Sequence, residues 1–199
     1  MTGRIYRQTA RAEAAETTRR QIAEAFVDCW REHWFDEITL DEVALRAKVS
    51  VRTVIRQFGN KEGLIAGFIK YLAPEVGERR TVSPGDVDQA IERLFENYEA
   101  DGDATIRSLA QEQRHPALGP MIDAGREGHR SVAALNFAPW LDPLLEPQRR
   151  RTLDALVIVT DIYTWKLLRR DMGRSEQEAR WMMRTLVQSV LAQFAGAGS

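Results

Sequence analysis

The chain has 199 residues, of which 44% are hydrophobic and 29% charged; at roughly 100 to 200 residues per domain this leaves room for one small and one larger domain. A formal charge of -1 and a pI near 6.3 exclude a histone-like polycation. No run of about 18 apolar residues could cross a membrane, the arginine-rich N-terminus lacks the apolar segment of a secretory signal, and the one cysteine, Cys29, excludes an internal disulfide, so a cytoplasmic protein is expected.

In chain order, Arg4, Arg7, Arg11, Arg19 and Arg20 face only Glu13 and Glu16 in a segment with few apolar residues before Ile22. Residues 1–15 read as a flexible basic arm of the kind that reaches a minor groove or screens phosphates. Ile22, Ala25, Phe26, Cys29 and Trp30 then form one helical stripe over Gln21 to His33, on which Cys29 reads as a buried thiol.

Thr39 and Glu42 have capping-box spacing, so a helix should begin at Leu40, with Leu40, Val43, Ala44 and Ala47 on its buried face. Ser50 is the next N-cap, which leaves only Lys48 and Val49 to bend the chain. A second helix over Val51 to Phe58 turns Val54 and Phe58 inward and Arg52, Thr53, Arg56 and Gln57 outward. Gly59 ends it and Asn60 caps the next. Eight residues make a helix of about 12 Å, and the major groove of B-DNA is about 12 Å wide. The pair has the form of a helix-turn-helix. Gly59, Gly63 and Gly67 recur every four residues, a spacing that admits close packing against the first helix.

The stretch from Glu75 to Val82 loses periodicity and reads as a linker. Ser83, Pro84 and Asp86 restart a helix whose apolar face is Val87, Ile91, Leu94, Phe95 and Tyr98. A break at Asp101 to Asp103 precedes a helix over Thr105 to Gln113, closed by His115 and Pro116. Another helix follows over Leu118 to Leu135, and the prolines of Phe137 to Pro147 mark a loop. A long helix is expected from Gln148 to Met172, ended by Gly173; Ser175 and Glu178 then open a last helix to about Ala195. No strand is expected.

These last two helices are apolar on two faces: Leu153, Leu156, Val157, Thr160, Tyr163 and Leu167 beside Ile158, Ile162 and Trp165 in one, Met182, Leu186, Ser189 and Phe194 beside Met183, Val187, Val190 and Leu191 in the other. A helix apolar on two faces must bury both, one of them outside its own core.

The spacing and residue types over about residues 16–70 resemble the DNA-binding domain of the TetR family of bacterial transcriptional repressors. In that family a first helix packs across the helix-turn-helix, as Gln21 to His33 would here. The recognition helix there commonly ends in an aromatic, any residue, a histidine and an aromatic, then a lysine soon after; this chain reads Ile55, Arg56, Gln57, Phe58 and Lys61. It departs at Ile55, where the family's aromatic touches a phosphate, and at Gln57, which replaces the histidine and can still donate a hydrogen bond. Lys48 stands where the turn commonly holds glycine, and either adopts a left-handed backbone or alters the turn.

The resemblance implies an all-α protein: a three-helix helix-turn-helix domain over 16–70, then a helical effector-binding and dimerisation domain over 71–199. Lys61 and the amides at its helix start are expected on phosphates, followed by Thr39 and Ser50. Arg52 and Thr53 are expected on base edges, Val51 in an apolar contact, and Arg56 and Gln57 on base or phosphate. The last two helices would form a dimer interface from Leu156, Ile158, Ile162, Met183, Val187, Val190, Leu191 and Phe194, and a two-fold dimer calls for a palindromic operator. Residues 1–70 carry 12 basic against 10 acidic residues and the remainder 16 against 19, a weak excess on the expected side.

The family also implies a small hydrophobic or aromatic effector, for which the candidate pocket residues are Phe95, Tyr98, Arg107, Met121, Trp140, Asp161, Tyr163 and Trp165, with Asp161 as ligand anchor or arginine partner. Catalysis is not expected: His33, His115 and His129 have no zinc-ligand spacing, there is no phosphate-binding loop or nucleophile elbow, and no cofactor or metal is called for. Asp101-Gly102-Asp103 lacks the remaining ligands of a calcium loop. Three readings follow: a dimeric, ligand-responsive repressor; an architectural or cell-division DNA binder on the same fold; and an apolar-ligand carrier or enzyme with a vestigial helix-turn-helix.

Overall fold

The structure is a computed structural model that describes the backbone of residues 2–195 and the side chains of residues 12–193. Among the described residues all regular structure is helical, and no helix is long and apolar enough to cross a membrane. The chain divides into two units: residues up to Pro74 with Ala110–Ile122, and Glu75–Leu109 with the described residues from Asp123 onward.

The first unit is built on α1 (Thr2–Glu32), which packs against α2 (Leu40–Arg46) and α4 (Lys61–Tyr71), with α3 (Val51–Phe58) between them in sequence. All five residues of the expected stripe on α1, Ile22, Ala25, Phe26, Cys29 and Trp30, are buried, and with them Val43, Ala44, Ala47, Val54, Leu64 and Ile65. Fully burying one such large apolar side chain stabilises the fold by roughly 1.5–3 kcal/mol. Burial pushes the Cys29 thiol up to about 11, so it stays protonated and inert. Where a flexible arm is expected over 1–15, the backbone is helical from Thr2. Residues such as Ala10, Arg11, Ala14 and Ala15 are strong helix formers and extend a helix already nucleated by the packed stripe.

Ser50 and Asn60 cap as expected, accepting from the amides of Thr53 and Gly63 at 3.1 and 3.0 Å. Thr39 accepts from the Glu42 amide at 3.2 Å, but its capping box is only half made. The Glu42 carboxylate turns instead to Arg46, which also holds Glu32, because a guanidinium attracts it more strongly than a neutral amide does. Lys48 adopts the left-handed backbone, with φ of 53°. The glycines of α4 pack against α3 rather than the first helix. A Cβ on Gly63 would collide with the Phe58 carbonyl, and one on Gly67 would stand 2.6 Å from the Phe58 ring.

The second unit contains most of α5 (Ala73–Arg80), of α6 (Val87–Gln111) and of α7 (Gly119–Asn136), then α8 (Ala138–Leu141), α9 (Gln148–Val159), α10 (Ile162–Lys166) and α11 (Glu176–Ala195). Its core gathers Phe95, Leu141, Leu156, Trp165, Met183 and Val187. Three sequence expectations change here. The linker at Glu75 is the helix α5, whose terminal Arg80 is buried.

The expected break at Asp101 to Asp103 is absent and α6 runs through it, because a glycine is needed there for close approach: a Cβ on Gly102 would lie 2.6 Å from the Trp165 ring. Glu99 accepts from Trp165 Nε1 at 2.8 Å and from Arg169 at 2.6 and 2.9 Å, and Asp103 binds Arg170 at 2.8 and 2.9 Å, so the flanking turns are clamped. The expected helix from Gln148 to Met172 breaks at Thr160, since Asp161 caps α10 by accepting from the Tyr163 amide at 2.9 Å; a π-turn over Leu167–Asp171 follows. The second capping box is complete, with Ser175 and Glu178 each holding the other's amide.

The two-faced pattern of the last helices is realised differently from the expectation. Leu156, Ile162, Met183, Val187 and Leu191 lie in the core of their own protomer, and Val190 packs against it. Phe194 falls outside the described side chains. Ile158 is exposed, and the large apolar residues exposed after it among the described residues are Tyr163, Leu167, Met172, Trp181 and Leu186. The break after α9 rotates the following residues, so a straight helical wheel assigns these faces wrongly.

Two measurements test these local structures. Replacing Lys48 by Gly removes the left-handed strain at the turn and should raise unfolding stability by about 0.5–1 kcal/mol, read as a higher denaturant midpoint. An unchanged or lower midpoint would contradict the strained turn. Burial and the neighbouring Arg80 guanidinium push the His129 imidazole down to about 4. Its unfolded value is near 6.5, so the unfolded chain takes up the proton first. The neutral ring therefore contributes fully above about pH 6.5, and roughly 3 kcal/mol is lost as pH falls to about 4. A His129→Gln variant should show a correspondingly flatter stability profile across that window.

Candidate nucleic-acid interface and the cleft of the second unit

Helix α3 is held from beneath by Val54 and by Phe58 against the glycines of α4. Its outer surface presents Arg52, Ile55 and Arg56, all exposed, with Val51 and Thr53 half-buried at the start. Ser50 Oγ lies 2.9 Å from Thr53 Oγ1, so the two expected contact residues share one hydrogen-bonded corner. Gln57 accepts from Arg19 Nε of α1 at 3.0 Å. This bond orients the amide where the resembling proteins carry histidine.

The cations of the unit separate into two groups. Arg19, Arg20, Arg31, Arg46 and Lys70 are ion-paired within 3.2 Å, and Arg114 stands 3.8 Å from Asp36. Lys61 is also engaged, but with backbone. Its ammonium donates to the carbonyls of Phe35, Ile38 and Asp36 at 2.6, 3.0 and 3.4 Å and stands 4.6 Å from the Phe35 ring centroid. Burial holds its pKa below the ordinary lysine range. The expected phosphate ligand is therefore directed into its own domain, where it fixes the segment leading into α2. Gln111 holds the same segment, accepting from the Phe35 amide at 3.0 Å and donating to Asp36 at 2.9 Å.

What remains is Lys48, Arg52 and Arg56. Among the described residues of this unit they are the cations with neither an acidic nor a carbonyl partner, and all three lie in the turn or on α3. Thr39 is exposed at the start of α2, and the free amides at the starts of α3 and α4 add partial positive charge. Such a surface offers donors for phosphate and a guanidinium fork for guanine. Sequence reading missed the exposed Ile55 as a candidate apolar contact; its place one turn after Val51 was the available signal.

The expected pocket residues do not line one cavity. Phe95, Tyr98 and Trp165 meet in the core of the second unit, with the Tyr98 and Trp165 ring centroids 6.0 Å apart, Trp140 packs on Phe137 with ring centroids 6.5 Å apart, and Arg107 is half-buried. Tyr163 is exposed, Met121 belongs to the first unit, and Asp161 is the cap already described. A narrow cleft does exist elsewhere in the second unit, with interior room of only about 20 Å³ and lined by Arg80, Ala90, Ile91, Leu94, His129, Val132, Ala133, Asn136, Phe137 and Thr160.

Its polar members form one buried network. Arg80 Nη2 donates to His129 Nδ1 at 2.6 Å, and His129 Nε2 lies 3.3 Å from the Val157 carbonyl and 3.2 Å from Thr160 Oγ1. Asn136 donates to the Arg80 carbonyl and accepts from the Val82 amide, both at 3.0 Å. Tyr98 donates to the Thr160 carbonyl at 3.1 Å, with its hydroxyl pushed up to about 12 by burial. The spacing of His129, Val132, Ala133 and Asn136 along one face of α7 was the legible signal for this site. Arg80, in a stretch without periodicity, left none.

Residues 22–67 match the family described as bacterial regulatory proteins, tetR family. No curated protein sequence matches the chain. A transcriptional regulator from Rhodococcus sp. Rha1 is similar in structure with a TM-score of 0.66 and 17% identity, over 88% of this chain and 96% of that one. The multidrug binding protein EbrR, complexed with imidazole, is similar with a TM-score of 0.55 and 22% identity, over 84% and 88%. The matched residues contain the capped helices and free cations described above, and over this segment the chain carries the N-terminal domain of the tetR family of bacterial regulatory proteins.

Proposed function

We propose that the protein acts as a homodimer on a palindromic DNA operator and that a small molecule bound in the second unit releases it. The observation that carries the DNA reading is the sorting of charges in the first unit: among the described residues the other cations have internal partners, while Lys48, Arg52 and Arg56 stand exposed and unpaired around the turn and α3. Arg52 and Thr53 read base edges; Arg56, Lys48, Thr39, Ser50 and the helix-start amides take phosphates; Val51 and Ile55 make apolar contacts with bases. Lys61 supports this surface from within.

The second copy of the chain covers the exposed apolar residues Ile158, Tyr163, Leu167, Trp181 and Leu186, which a lone protomer would leave in water. A two-fold axis then spaces two copies of α3 by a DNA turn or a multiple of it. The multidrug-binding neighbour supplies the analogy for the small molecule, and release follows if that molecule binds one of two conformations better. The narrowness of the cleft favours, as a second reading, a DNA binder without small-molecule control. A carrier or enzyme has less support, since both ring nitrogens of the cleft's histidine are engaged.

Selection on random duplex DNA should enrich a palindrome, and titration of it should show a steep salt dependence. Arg52→Ala and Arg56→Ala should each weaken operator binding about tenfold or more without lowering the melting temperature, whereas Lys61→Ala should lower the melting temperature. Operator binding like the parent's in both arginine variants would overturn the assignment of α3. Sedimentation at micromolar concentration should give the mass of two chains, and Trp181→Glu combined with Leu167→Glu should give one. A monomeric parent would overturn the dimer.

A further inference from the structure

Arg80 is 9% exposed and forms no ion pair with any described carboxylate. Its guanidinium cannot lose a proton. One Nη2 proton goes to His129 Nδ1, which must therefore be the acceptor nitrogen. The ring proton is then on Nε2, facing the Val157 carbonyl and Thr160 Oγ1. The histidine is thus neutral and supplies no countercharge. Asn136 is engaged at both ends by backbone groups, and the Thr160 hydroxyl donates to the Leu156 carbonyl at 2.7 Å.

Tyr98 meets the guanidinium with its hydroxyl and with its ring face, 5.5 Å from the guanidinium carbon, and both are uncharged, so they compensate the cation only in part. Arg80 Nε is buried with no acceptor at all. A buried charge is ordinarily paired, and here the cation borders a cleft whose other walls are apolar: Ile91, Leu94, Val132, Ala133 and Phe137.

We infer that this cleft binds a compact monocarboxylate, its carboxylate on the free donors of Arg80 and its apolar body between Ile91, Leu94, Val132 and Phe137. The inference rests on the reading of the second unit as an effector domain and names the effector's chemical class. A carboxylate fits a planar guanidinium through parallel hydrogen bonds, and such charge-assisted bonds are strongest where water is excluded. Inorganic phosphate offers the same charge but keeps its hydration, which apolar walls cannot replace. The cleft as it stands has interior room of about 20 Å³, enough for a water molecule and far below an ordinary ligand site, so the acid must be small and must widen the cleft as it enters. That widening supplies the two states that release requires.

The test uses the full chain with benzoate, phenylacetate and isovalerate at millimolar concentration, and with benzamide and inorganic phosphate as controls. At least one of the acids should raise the melting temperature and bind by calorimetry, while benzamide and phosphate do neither. Arg80→Gln should weaken that acid about tenfold or more. If the variant fails to fold, the comparison of benzoate with benzamide on the parent still decides. Binding by none of the three acids, or benzamide and benzoate binding alike, would overturn the carboxylate site. Operator titration with the bound acid separates the two readings. Binding that leaves operator affinity unchanged removes the effector role and keeps the site, whereas release by neutral apolar compounds, unaffected by Arg80→Gln, keeps regulation and removes the site.

Discussion

The position of α3, the second helix of the helix-turn-helix, depends on the absence of two side chains. Phe58 closes α3 with its carbonyl against Gly63 and its ring against Gly67, and any larger residue at either place would push the end of α3 away from α4. A backbone carbonyl cannot yield as a flexible side chain can, so the contact at Gly63 admits no adjustment. Lys61 and Gln111 hold the segment leading into α2 by bonds to its backbone, and Arg46 ties α2 to Glu32 of α1. The helix-turn-helix is therefore braced at both of its helices, and Lys48, Arg52 and Arg56 are displayed by a framework in which the other described cations are already paired with acidic or carbonyl groups.

The two units treat buried charge in opposite ways. In the first, the partly buried Lys61 ammonium meets three carbonyl oxygens, which compensate it without a counter-ion. In the second, Arg80 meets a neutral imidazole and an aromatic face, and one nitrogen is left without an acceptor. A finished core seldom tolerates this arrangement, because an unpaired buried donor forfeits its hydration and gains nothing in return. The same contrast separates a residue that maintains structure from one placed to meet something else. Cationic residues in the sequence carry no mark of which kind they are.

Helix α6 illustrates how tertiary contacts override local signals. Asp101-Gly102-Asp103 has the composition of a turn, yet the helix continues because Trp165 needs the space above Gly102, and Glu99 and Asp103 are gripped by Arg169 and Arg170. Long-range ion pairs and an aromatic ring thus outweigh a propensity cost of about 1 kcal/mol for one glycine in a helix. At Asp161 the reverse happened: a carboxylate in an apolar run suggested a ligand anchor, and it serves as a helix cap.

The all-helical class, the caps at Ser50 and Asn60, the buried stripe of α1 and the helix-turn-helix segment were legible in the sequence alone. These features are set by interactions between residues at most four apart, and such spacings survive in a linear string. Only the tertiary structure decided that Lys61 points inward, that Arg80 and His129 meet across 49 positions, that the glycines of α4 serve Phe58, and which apolar residues of the last helices remain exposed. Those outcomes depend on which surfaces of distant helices face one another. Periodicity shows that a helix has a face to bury but not against what, and a lone arginine or histidine has its role set by its neighbours in space.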